Sequence, residues 1–194
     1  MPDTSSVPKE ASHATSQENN DASTKIVFDD EADFERAQRG LIATLPEGKV
    51  TIDNQTVWDC SQYDFLRENS SAPDTVHPGL WRQGRLNAIH GLFEVMDGVW
   101  QVRGYDISNL TLVAGKTGWI LIDVLTTAAT AKACLELANE HLGARPVKAV
   151  IYTHSHADHF GGILGVTTAE EVERGQVRII APEGFLEEVV NENV

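Results

Sequence analysis

The chain has 194 residues, 41% hydrophobic and 23% charged, with 15 basic against 29 acidic side chains and a formal net charge of −14. That composition is of an ordinary globular protein with one real core. The acidic balance excludes a nucleic-acid partner, which needs a basic surface to displace counterions from phosphates.

Residues 1–35 hold nine acidic and two basic side chains, half of the net charge. Residues 1–25 are mostly small and polar, so they read as a disordered acidic and polar tail that cannot offset its ordering entropy. The start, "MPDTSSVPKEASHATSQENN", lacks the basic and apolar regions of a secretory signal. No run approaches the ~18 apolar residues of a membrane span. A cytoplasmic location is the expectation. Two cysteines, Cys60 and Cys134, are too few for a disulfide framework, and Cys134 is expected as a buried thiol.

Residues 26–95 read as an N-terminal wrapping segment without its own core. Asp29 or Asp30 caps a predicted helix carrying Phe34, Ala37 and Leu41 on one face, limited by Pro46. From 47 to 95 the text is irregular, with "NSSAPD" and "HPG" as turns. The pattern sharpens over 96–194. "VWQVRGY", "LTLVAG" and "GWILIDV" predict an antiparallel meander, with "AGKTG" as a hairpin turn. "TTAATAKACLELANEHLG" predicts a helix with Ala131, Leu135, Ala138 and Leu142 on one face and Gly143 as its stop. "VKAVIYTH" reads as a strand buried on both faces, "QVRIIA" as another strand, and "PEGFLEEVVNENV" as a helix opening at Pro182. The fold class is α/β (α+β), without internal repeats.

The chemistry concentrates in "IYTHSHADHFGG", where three of seven histidines and an aspartate fall within six residues, after an apolar strand and before paired glycines. Imidazole and carboxylate are ligands of Zn²⁺ and similar cations. His154 and His156, two apart on an extended chain, can chelate one ion. Asp158 and His159 can reach a second position. Two metals at one site orient a substrate oxygen and lower the pKa of a bound water. A lone histidine would more simply be a surface residue, and a structural zinc site prefers cysteine.

"THSHADHFGG" resembles the signature of the metallo-β-lactamase superfamily, which implies an αββα sandwich. "GLWRQGRLNAIHGLFEVMDGVWQVRGYDISNLTLVAGKTGWILID", "VIYTHSHADHFGG" and "VRIIAPEGFLEEVVNENV" are similar to blocks of the zinc-dependent alkyl sulfatases, from about Asp30 to Val194. The resemblance implies hydrolysis of alkyl sulfate esters such as dodecyl sulfate to alcohol and sulfate, by a binuclear zinc centre with two Zn²⁺ per complete site. It implies His154 and His156 on the first zinc, Asp158 and His159 on the second, and Asp123 supporting the histidine loop by hydrogen bonding. Asn109 in "YDISN" is open to a turn role or to contact with the metal-site loops. No catalytic residue beyond the metal ligands is assigned. Further family ligands have no counterpart here, so the resemblance implies the first portion of the sandwich, in a homodimer when complete. Two alternatives stand beside the alkyl sulfatase: a thioesterase or phosphodiesterase on the same fold, or a non-catalytic metal-binding fragment. His77, His90 and His141 are expected to do no chemistry.

Overall fold

A computed structural model of the chain describes residues 9–25 and 30–193. They divide into two compact units, one drawn from Met1–Ala37 and Tyr63–Ala88, the other from Gln38–Gln62 and Ile89–Val194.

In the first unit, part of the expected tail is helical: α1 spans His13–Lys25 with no buried residue. Asp29 lies outside the described residues. Asp30 accepts the Ala32 N–H at 2.8 Å through its carboxylate, at the start of α2 (Ala32–Gln38). The unit continues in α3 (Asp64–Glu68) and α4 (Pro78–Asn87). His77 caps α4, its Nδ1 accepting from the Gly79 N–H at 3.1 Å, with Pro78 as first helical residue. Phe34 is buried beneath the guanidinium groups of Arg82 and Arg85, 5.3 and 4.7 Å from its ring centre.

The second unit is built on a seven-stranded sheet, ordered β1-β4-β5-β6-β7-β8-β9. Its strands are β1 (Leu41–Ala43), β4 (Gly91–Met96), β5 (Val99–Arg103), β6 (Leu110–Ala114), β7 (Trp119–Ile122), β8 (Val147–Ile151) and β9 (Arg178–Ile180). A separate hairpin pairs β2 (Lys49–Ile52) with β3 (Gln55–Asp59). Leu41, expected at the end of a helix, is a strand residue instead. Gly40 takes φ +77°, which breaks the helical path, and its backbone lies so near Glu94 that a Cβ would fall 2.2 Å from that carbonyl oxygen. Leu41 then pairs with Phe93. The sheet therefore takes in β1 and β4, which precede the predicted meander.

From β4 to β7 the sheet is antiparallel, and the turn after Ala114 closes with Gly115 N–H donating to the Gly118 carbonyl at 2.9 Å. The pairs β7–β8 and β8–β9 are parallel. Between β7 and β8 runs α5 (Ala128–Leu142), capped by the Thr127 side chain and ended by Gly143 at φ +90°. Burial alternates along the strands: Leu110 and Leu112, then Trp119 and Leu121, are fully buried. They share one core with Ala131, Cys134, Leu137 and Ala138 of α5. Burial raises the Cys134 thiol pKa far above its ordinary value, with Asp106 adding to the effect. β8 is less covered than expected; Val147 and Val150 are buried and its other residues are intermediate. After β8 come α6 (Ala157–Phe160), α7 (Ala169–Glu173) and α8 (Phe185–Asn193). Pro182 precedes α8 by three residues.

Candidate metal centre

The parallel strands β7 and β8 end side by side, Ile122 beside Ile151. The next residues of each strand build the site, as loops at carboxyl ends do in open α/β sheets. After β7, Asp123 and Leu125 adopt φ +57° and +65°. Left-handed backbone is tolerated by aspartate and unusual for a buried leucine, with a cost of about 1–3 kcal/mol that surrounding structure has to offset. That bend turns the Asp123 carboxylate toward the loop after β8. Its Oδ1 accepts the Thr153 N–H at 2.9 Å, and its Oδ2 accepts the Thr153 hydroxyl at 2.8 Å and His159 Nδ1–H at 2.7 Å.

The glycines after the histidines serve close backbone packing. Gly162 N–H donates to the Leu125 carbonyl at 2.8 Å, and a Cβ on Gly162 would lie 2.0 Å from the Val124 carbonyl oxygen. A third support was not read from the sequence. Asp106, buried, accepts the Thr126 hydroxyl at 2.5 Å, the Thr126 N–H at 3.1 Å and the Thr130 hydroxyl. Ser108 donates to the Asp158 carbonyl. The segment "YDISN" thus holds the site through Asp106 and Ser108, and Asn109 is exposed. Only the clustering of short polar residues at a strand end could have signalled this.

His154, His156, Asp158 and His159 come together at one place, with the rings of His154 and His159 4.0 Å apart between centres. His154 Nε2 is 3.1 Å from His156 Nδ1, and His159 Nε2 is 3.3 Å from Asp158 Oδ2. Two ligands of one tetrahedral zinc, each bonded at about 2.0–2.1 Å, stand roughly 3.3 Å apart. Among the described residues, no three His, Cys, Asp or Glu side chains converge as one metal site.

The hydrogen bonds assign the ring nitrogens. A carboxylate only accepts, so His159 donates its Nδ1–H to Asp123, and its Nε2 faces the Asp158 carboxylate. Thr153 gives its hydroxyl proton to Asp123, so it accepts from His154 Nδ1–H at 2.9 Å, leaving a lone pair on His154 Nε2. A proton on His159 Nε2 or a cation between the two groups would each satisfy this approach to the Asp158 carboxylate. The donor set fits borderline metal ions.

Residues 103–193 match the family model of the metallo-beta-lactamase superfamily. That stretch, just under half of the chain, is similar to the superfamily's domain. The chain's wider similarity is to alkylsulfatases. The chain is 48% identical to a linear primary-alkylsulfatase from Pseudomonas sp over 187 residues, covering 96% of this chain and 28% of that protein. It is 46% identical to an alkyl/aryl-sulfatase of Saccharomyces cerevisiae, covering 96% and 29%. It superposes with a TM-score of 0.90 on the stereoselective inverting sec-alkylsulfatase Pisa1 from Pseudomonas sp., at 46% identity, over 96% of this chain and 29% of that one. The fold is therefore the metallo-β-lactamase fold of alkylsulfatases, and the chain spans less than a third of the length of these relatives. The superfamily implies metal ions. Among the described residues no helix is long and apolar enough to cross a membrane.

Proposed function

We propose that this chain supplies the histidine loop of a zinc-dependent alkyl sulfatase, which hydrolyses alkyl sulfate esters such as dodecyl sulfate to alcohol and inorganic sulfate. The observation that carries the reading is the pair of two-donor sets, at 3.1 and 3.3 Å, at the ends of β7 and β8. Similarity to named alkylsulfatases over 96% of the chain supports the substrate class.

His154 Nε2 and His156 Nδ1 would hold one zinc, and Asp158 and His159 Nε2 the other. Bound there, zinc supplies a water of lowered pKa and positive charge beside the sulfate. Asp123 keeps the loop in shape: it binds Thr153 and His159 at once, which sets the lone pairs of His154 and His159 toward the donor pairs. A homodimer and a cytoplasmic location belong to the same reading.

The test is zinc per chain by native mass spectrometry together with sulfate release from dodecyl sulfate. Zinc-dependent release, absent in H156A and abolished by a chelator, is the expected result. Hydrolysis of acyl-thioesters or phosphodiesters with no sulfate released would replace the substrate class. A second reading, a metal-binding piece without activity of its own, is favoured by the size of the sets, because catalytic zinc ordinarily has three protein ligands. Zinc bound without any hydrolysis by this chain would select it.

A further inference from the structure

The third histidine of the loop also meets a carboxylate, from a different element. His156 Nε2 lies 3.7 Å from Glu192 Oε1, and Glu192 Oε2 accepts the hydroxyl of buried Ser155 at 2.5 Å. Glu192 reaches the loop because of how α8 docks. Phe185, Val189 and Glu192 recur at i, i+4 and i+7, on one helical face. Phe185 stacks on Tyr152 at 5.3 Å between ring centres and meets Phe160 edge-on at 5.5 Å. Tyr152 and Phe160 flank the histidine segment on both sides, so the aromatic contact anchors α8 and sets its carboxylate about two turns farther along.

We propose that Glu192 is a positioning residue for His156, an inference that rests on the zinc reading above. Its carboxylate, with a cation between the two rings, accepts the Nε2 proton and leaves the Nδ1 lone pair facing His154 Nε2. All three rings then follow one scheme: Thr153 takes the outer proton of His154, Asp123 that of His159 and Glu192 that of His156. The separation of 3.7 Å is ion-pair range; a hydrogen bond requires closing it by roughly 0.7 Å. The His156 side chain, 62% exposed, has room to turn. At 3.1 Å His156 Nδ1–H donates to the His154 Nε2 lone pair; a cation taking the place of that proton needs the His156 proton on Nε2, toward Glu192.

The experiment compares the 194-residue chain with E192A and E192Q, by NMR of ring N–H protons and by competition for zinc against a chromophoric chelator. A His156 Nε2 proton protected from water exchange, lost in E192A while the His159 Nδ1 proton persists, is expected. A helix merely undocked from the loop would disturb both. Zinc affinity should fall about 10- to 100-fold in E192A. E192Q, isosteric and able to fold where E192A fails, should keep part of it through its amide oxygen. Zinc affinity unchanged in both variants, or no protected His156 proton with and without zinc, overturns the proposal. If no variant binds zinc yet the His156 proton behaves as stated, the zinc reading falls and the hold of Glu192 on His156 stands.

Discussion

The centre of the seven-stranded sheet and its last strand are written in similar apolar residues and end in different surroundings. Leu112, Leu121 and Val150 are completely buried, whereas Ile179 and Ile180 of β9 are each 41% exposed. The strands β6, β7 and β8 have neighbours on both sides and share a core with α5; β9 has one strand neighbour. Apolar text thus earns burial only where a second layer lies over it. The metal-site residues occupy the border between these regions, which gives Asp123, 10% exposed, a firmer setting than His156.

Breaking the buried centre should have the largest effect. Trp119 is fully buried, donates its indole N–H to Asn139 at 2.8 Å and meets Trp100 edge-on. Trp119→Ala should cost about 3–5 kcal/mol in denaturant unfolding, through a cavity and an unpaired amide. A loss under about 1 kcal/mol would mean that the centre repacks freely and that the contrast with β9 is smaller than the burial implies. Asp123→Ala comes next. It strips partners from Thr153 and His159 together and should cost about 1–3 kcal/mol of stability. Zinc affinity should fall about 10- to 100-fold, read by chelator competition. Stability lost with zinc affinity kept would make Asp123 a support for the backbone alone.

A smaller effect separates the border by pH. Burial pushes the Tyr152 phenol up to about 12 from an ordinary 10.0, and Tyr105 and Cys134 are raised by burial as well. An acid whose folded pKa is raised stays neutral in the fold after the unfolded chain has ionised. Its stabilising contribution is whole below the unfolded pKa and is lost as pH climbs toward the folded one. The melting temperature should therefore drop between about pH 9 and 12, and Tyr152→Phe should make that drop shallower. An identical slope in the variant would place Tyr152 in a wetter setting than its contacts with Phe160 and Phe185 describe.

Periodicity made the three meander strands, α5 and the parallel strand β8 legible, because each repeats a local pattern of two or 3.6 residues. β1 and β4 escaped it. Leu41 continues the helical spacing of Phe34 and Ala37, and only the left-handed Gly40 and the distant partner Phe93 make it a strand residue. The histidine loop was legible as chemistry, since few other roles use His-x-His-x-Asp-His. Its supports were not. Thr153, Asp106 and Glu192 are common residues whose meaning comes from which partner the fold sets opposite them.

The smallest effect expected is at the outer face of α8. Leu186 and Val190, 79% and 57% exposed, lie one turn apart on the side away from Phe185 and Val189. If exposure decides cost, Leu186→Glu removes no buried surface and should change the unfolding free energy of this chain by no more than about 0.5 kcal/mol. The same substitution should lower self-association at high concentration, measured by sedimentation, because a charge interrupts the apolar strip. A cost above about 2 kcal/mol would show Leu186 covered in solution, since that is the scale of burying a leucine side chain. α8 would then be held on both faces, and the carboxylate of Glu192 would be fixed over His156 by more than the Phe185 stack.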